Sequence, residues 1–126
     1  MEQIIRKTGV PAVDRYGFLL LADFTMMAFA AAVEPLRTAN RHTESELYQF
    51  PLFTLDGAPG RASNGLSLSP VQSLSGKEPL DALFVCAGVD LHSVNPEHLR
   101  ERLKPFIRRG VAIGGICTAT YHLARA

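Results

Sequence analysis

The sequence predicts an α/β fold, a doubly wound parallel sheet of the flavodoxin-like kind flanked by helices. Three observations lead there. Tyr16–Leu21, Asp81–Cys86 and Val111–Ile116 are short, almost continuously apolar runs, as in strands buried on both faces. Segments with helical spacing of apolar residues alternate with them, which places helices on both sides of a parallel sheet. The chain has 126 residues, 47% hydrophobic and 20% charged, enough for one domain with its own core.

Residues 1–15 mix Glu2, Arg6, Lys7, Asp14 and Arg15 with Gly9 and Pro11. They read as a flexible leader ahead of a domain over residues 16–126, without the apolar run that a signal peptide needs. Tyr16–Leu21 is the first strand. Asp23 and Thr25 offer N-cap oxygens to a helix from Met26 to Asn40, where Phe29, Val33 and Leu36 recur at helical spacing. Pro35 removes an internal hydrogen bond and predicts a kink or a split. The stretch from Phe18 to Leu36 is interrupted by Asp23, Thr25, Glu34 and Pro35 and is not read as a membrane span. Tyr48–Leu55 reads as a strand, with Pro51 arguing for a sheet edge. Asp56–Gly60 is a turn. Asn64-Gly65, followed by Leu66 and Leu68, signals a β-hairpin. Ser73–Pro79 reads as a polar linker. After the strand Asp81–Cys86, Asn95 and Pro96 supply the cap and first position of an amphipathic helix over Pro96–Arg108. Leu99, Leu103, Phe106 and Ile107 form its apolar stripe, Pro105 disturbs its last turn, and Gly110 stops it. Val111–Ile116 is the last strand, and a further helix starts at Thr118.

Thirteen basic against twelve acidic residues leave a net charge of +1, no surplus with which to hold a phosphate backbone. Arg100, Arg102, Lys104, Arg108 and Arg109 are the polar side of the amphipathic helix. Cys86 and Cys117 are too few for a disulfide framework, and their apolar contexts fit reduced thiols in a cytoplasmic protein. His42, His92, His98 and His122 show no ligand spacing, so neither a metal nor a cofactor is expected.

The chemistry is concentrated in Gly114-Gly115-Ile116-Cys117-Thr118-Ala119. A buried strand runs straight into a helix with Cys117 at the junction, the cysteine version of the G-x-S-x-G nucleophile elbow. So sharp a turn brings the flanking backbones together, so the residues two before and two after, Gly115 and Ala119, must be small. A helix N-terminus favours a thiolate there. Gly88 closes the neighbouring strand, so its N–H, with that of Thr118, is a candidate oxyanion-hole donor. Cys86, in mid-strand, reads as core.

The runs FLLLADFTMMAFAAAVEPLRTANR, DALFVCAGVD and GGICTATYHLARA resemble the ThiJ/PfpI superfamily, with its class I glutamine amidotransferase-like fold. More narrowly they resemble the N-terminal domain of AraC-type regulators of the GlxA group, in the branch similar to regulators of choline and carnitine catabolism. The Val33–Asn40 segment is the most specific piece. The resemblance covers residues 16–126. It implies a homodimeric domain that senses a small polar metabolite, a quaternary amine or an amino-acid-like molecule, without contact with a membrane. It also implies that the domain is C-terminally truncated here, and that DNA is bound by a helix-turn-helix domain absent from this chain.

Cys117, Thr118, Gly88, Val89, Glu34 and Asp23 are the expected ligand pocket, with Cys117 a vestigial nucleophile and no residue assigned as catalytic. Enzymes of the superfamily pair the elbow cysteine with an acid early in the first helix and often a histidine after the elbow. Here the early stretch reads Thr25-Met26-Met27-Ala28-Phe29, and Glu34 lies about two turns further on. His122 falls five residues past Cys117, off the cysteine's face by helical spacing. A nucleophile without a base argues against catalysis. The alternative reading is a cysteine-dependent hydrolase, amidase or deglycase. Asp90 is a candidate cap or pocket residue.

Overall fold

A computed structural model describes residues 12–126. Among them the elements run β1 (Asp14–Leu20), α1 (Met26–Thr43), β2 (Tyr48–Gln49), β3 (Leu52–Thr54), β4 (Gly60–Arg61) and β5 (Ser67–Leu68). They continue with β6 (Gln72–Ser73), β7 (Ala82–Cys86), α2 (Pro96–Arg108), β8 (Ala112–Ile116) and α3 (Ala119–Arg125). The sheet order is β6-β3-β1-β7-β8, with β2 pairing β1 just ahead of β3, and every pairing in it is parallel. β4 and β5 form a separate antiparallel hairpin.

β1 is central because its residues feed both faces. Phe18 and Leu20 pack with Phe29 of α1 on one face, while Leu19 and Leu21 join Leu99, Leu103 and Phe106 of α2 on the other. Asn95 starts α2 as expected, its side-chain oxygen accepting from the N–H groups of Glu97 (2.9 Å) and His98 (3.3 Å). Gly110 follows that helix at φ +76°, in the left-handed region where a side chain would be strained.

Several expectations need correction. The first eleven residues of the expected leader lie outside the described ones, but Asp14 and Arg15 belong to β1, paired with Tyr48 and Gln49. Strand pairing uses the backbone and tolerates their charges. α1 is not split at Pro35, and it runs past Asn40 to Thr43, ending at Glu44 in the left-handed region. Asn40 does not stop the helix. Its amide instead holds the next segment, donating to the Tyr48 carbonyl (2.9 Å) and accepting from the N–H groups of Leu47 (2.8 Å) and Tyr48 (2.9 Å). Pro51 does not mark an edge: it interrupts the strand into β2 and β3, and β3 lies between β1 and β6. β6 takes in Ser73, the first residue of the expected linker, together with Gln72 just before it. Ile107 is 57% exposed and outside the apolar stripe, since it sits a third of a turn round from buried Phe106.

Candidate functional site

Parallel strands bring their carboxyl ends to one rim, where three chain segments meet. β1 leads into Asp23–Thr25, β7 into Ala87-Gly88, and β8 into Cys117. Cys117 sits at φ +59° with its side chain exposed, the strained backbone of a strand-to-helix elbow. The flanking residues show why they are small. A Cβ on Gly115 would lie 3.1 Å from the Thr120 amide nitrogen, and Ala119 is wholly buried.

The first segment is fastened to the second. The Thr25 N–H donates to the Ala87 carbonyl (3.1 Å), and buried Phe24 bridges to Gly88 on one side and Ala62 on the other. Asp23 sits at φ +58°, with its N–H donating to the Arg61 carbonyl at 3.0 Å, so the β4–β5 hairpin braces this loop. A Cβ on Gly88 would come within 2.0 Å of the Asp23 carbonyl oxygen, which admits only glycine. The second segment is tied to the third by the Thr118 hydroxyl, which donates to the Gly88 carbonyl. The Thr120 hydroxyl donates to the Cys117 carbonyl at 3.4 Å.

Cys117, Thr118, Gly88 and Asp23 therefore converge. Val89 stands beside Gly88 with its side chain 78% exposed. Glu34 does not join them. It lies on the solvent face of α1 in an ion pair with Arg37, whose hydrogen bond holds the Glu34 carboxyl below its usual range. Gly88 is tied to the elbow through its carbonyl, which accepts from Thr118. Asp90 acts as a local turn cap, its carboxylate accepting the His92 N–H at 2.9 Å. Cys86 is core, with burial pushing its thiol up to about 12.

The sequence reading missed Thr25 as a site residue. Its hydroxyl makes no cap hydrogen bond to α1 and instead lies 3.6 Å from the Cys117 sulfur. The available signal was positional: Thr25 follows the end of a central strand, as Gly88 and Cys117 do. A hydroxyl can share a hydrogen bond with a thiol but cannot take its proton as a general base does. His122 is 3% exposed on the inner side of α3. Its Nε2 is buried without a partner among the described residues, and burial pushes the imidazole below its ordinary range. Among the described residues no cluster of His, Cys, Asp and Glu is arranged to hold a metal.

No family model matches the chain. It is 41% identical over 123 residues to the HTH-type transcriptional regulator GbdR of Pseudomonas aeruginosa, a match covering 94% of this chain and 33% of that protein. The chain thus spans about a third of the length of that curated relative. Among solved structures, an AraC family transcriptional regulator from Pseudomonas putida superposes with a TM-score of 0.78 at 33% identity, covering 90% of this chain and 70% of that one. A DJ-1 superfamily protein from Agrobacterium tumefaciens superposes with a TM-score of 0.68 at 26% identity, covering 88% and 57%. By the sheet order and these matches, the chain belongs to the AraC family of transcriptional regulators and carries their DJ-1/PfpI-type α/β fold.

Proposed function

We propose that this α/β unit is a ligand-sensing domain that binds a small polar metabolite at the elbow crevice and does not turn it over. The observation that carries the reading is the Thr25 hydroxyl against the Cys117 sulfur, in the position where a catalyst needs a base. Cys117, Thr118, Gly88, Thr25 and Asp23 form the contact surface, Val89 its apolar rim. Asp23 is the one formal charge within this set, which fits a cationic or zwitterionic effector, in line with the quaternary amine or amino-acid-like molecule that the family resemblance implies. The whole protein acts in the cytoplasm as a homodimer, with a helix-turn-helix domain outside this chain binding DNA and controlling catabolism of the effector.

The test is a thermal-shift screen of quaternary amines and amino acids, with Cys117→Ser and Thr25→Val beside the unaltered chain. A ligand that raises the melting temperature, loses its effect in Thr25→Val and is recovered unchanged supports the reading. A thiol retained on a strained elbow favours a second reading, a cysteine-dependent hydrolase. Turnover of an ester, amide or glycated substrate that disappears in Cys117→Ser would establish it.

A further inference from the structure

A groove with two compartments runs along the α1 side of the sheet, from the amino ends of the strands toward the first turn of α1. The first, of about 550 Å³, is lined by the polar side chains of Arg15, Tyr48, Gln49 and Gln72 over a floor that includes Phe50 and Pro51. The second, of about 460 Å³, is almost wholly apolar, with Phe29 and Val33 of α1 facing Leu52, Leu68 and Pro70. Phe50, Pro51 and Gln72 line both, so the compartments adjoin. Each has the size of a small-molecule site.

Polar capacity at the first compartment is unspent. Among the described residues the Arg15 guanidinium, the Tyr48 hydroxyl and the carboxamides of Gln49 and Gln72 make no hydrogen bond. Among the described residues no carboxylate forms an ion pair with the Arg15 guanidinium, and the nearby ones accept other hydrogen bonds. Asp81 accepts the Arg15 backbone N–H (2.8 Å), Asp14 accepts the Tyr16 hydroxyl (3.5 Å), and Glu78 accepts the N–H groups of Ser75 (2.6 Å) and Gly76 (3.0 Å). Glu46 also borders the compartment and, like Arg15, is exposed to solvent.

From this pairing we infer that the groove binds an amphipathic organic anion, a carboxylate with an unbranched apolar tail. The tail lies between α1 and the Leu52–Leu68 wall, where it removes apolar surface from water. The carboxylate takes charge-assisted hydrogen bonds from Arg15, supported by the neutral donors of Tyr48, Gln49 and Gln72. Bound there, the ligand would join α1 to β3 and β6 without touching Cys117. The site is therefore separate from the one proposed for sensing at the elbow.

Isothermal titration calorimetry with decanoate tests this, with decyltrimethylammonium as the cation of matched tail. Decanoate should bind the unaltered chain at least tenfold more tightly than the cation. Arg15→Gln should weaken it about tenfold, as expected for losing a charge-assisted hydrogen bond. Val33→Phe, which fills the apolar compartment, should weaken it by a similar factor, and Cys117→Ser should leave it unchanged. Absence of decanoate binding at millimolar concentration overturns the inference. So does equal or tighter binding of the cation, which would make Glu46 the governing charge. If sedimentation shows a dimer that Val33→Phe dissociates while decanoate fails to bind, a second copy fills the groove and the inference falls. A failed elbow screen with intact decanoate binding would sink the sensing proposal alone.

Discussion

The two faces of the sheet are covered by unequal means. α2, with 13 residues, buries Leu99, Leu103 and Phe106 against one face, and α3 adds Ala119 and His122. α1 is longer, at 18 residues, yet buries only Phe29 on the other face and leaves the two-part groove beside it. Helix length is thus a poor guide to coverage. α2 presents a compact stripe of large side chains, whereas the Ala-rich first half of α1 has little volume to insert. Among the described residues, one face is closed and the other is left open.

The sharpest way to break this comparison is to truncate one aromatic ring on each side. Phe106→Ala should cost about 3–5 kcal/mol in denaturant unfolding, the usual range for a void in a closed core. Phe29→Ala should cost about half as much, because the space beside it already reaches solvent. Equal losses would mean that the two faces are equally packed. Next in size is Gly88→Ala at the rim between the faces. Its Cβ must displace the Asp23 carbonyl, with a cost of about 1–3 kcal/mol and faster alkylation of Cys117 as the Thr25 contact is lost. An unchanged alkylation rate would show that the loop does not depend on this close approach.

A smaller effect should come from Arg102→Met. The Arg102 guanidinium donates to the carbonyls of Leu55 (3.0 Å) and Leu74 (2.5 Å) and to the Ser73 hydroxyl (2.9 Å), clamping β6 to α2. Its loss leaves the Leu74 carbonyl without its donor, while the Ser73 hydroxyl still donates to Leu55, at about 1–2 kcal/mol, read as a lower urea midpoint. No shift would show that β6 holds its place through β3 alone. The smallest effect concerns pH. Burial, and then the charge of Arg125, disfavour the His122 imidazolium, against a weaker opposing pull from Asp90. The folded chain therefore binds this proton less tightly than the unfolded chain. The associated stability is fully present above the ordinary value of 6.5 and falls as pH drops through the lower folded pKa. The slope of melting temperature against pH below 6.5 should be shallower in His122→Phe than in the unaltered chain. Identical slopes would remove His122 as its source.

The legible parts of the molecule share one property: their cause lies within a few residues. The strands β1, β7 and β8 announce themselves as apolar runs, because both of their faces are covered. α2 shows its cap, its stripe and its stop. β6 was invisible because Gln72 and Ser73 carry no apolar signal. They form a strand only because β3 and Arg102 accept them. Asn40 looked like a helix end because the amide that ties down Tyr48 is also a stop signal when read locally.

The sequence by itself determined the elbow, since the small residues around Cys117 follow from the steric demand of one tight turn. It also determined the alternation of strands and helices, and the near balance of basic and acidic charge. Only the tertiary structure decided that Thr25, 92 residues away, meets the Cys117 sulfur, that Glu34 turns to solvent, and that Arg15 and α1 border one groove. Those juxtapositions arise from the order of strands in the sheet. Each hydrogen bond or cavity joins segments whose local patterns are unrelated, and only packing on a shared sheet brings them within reach.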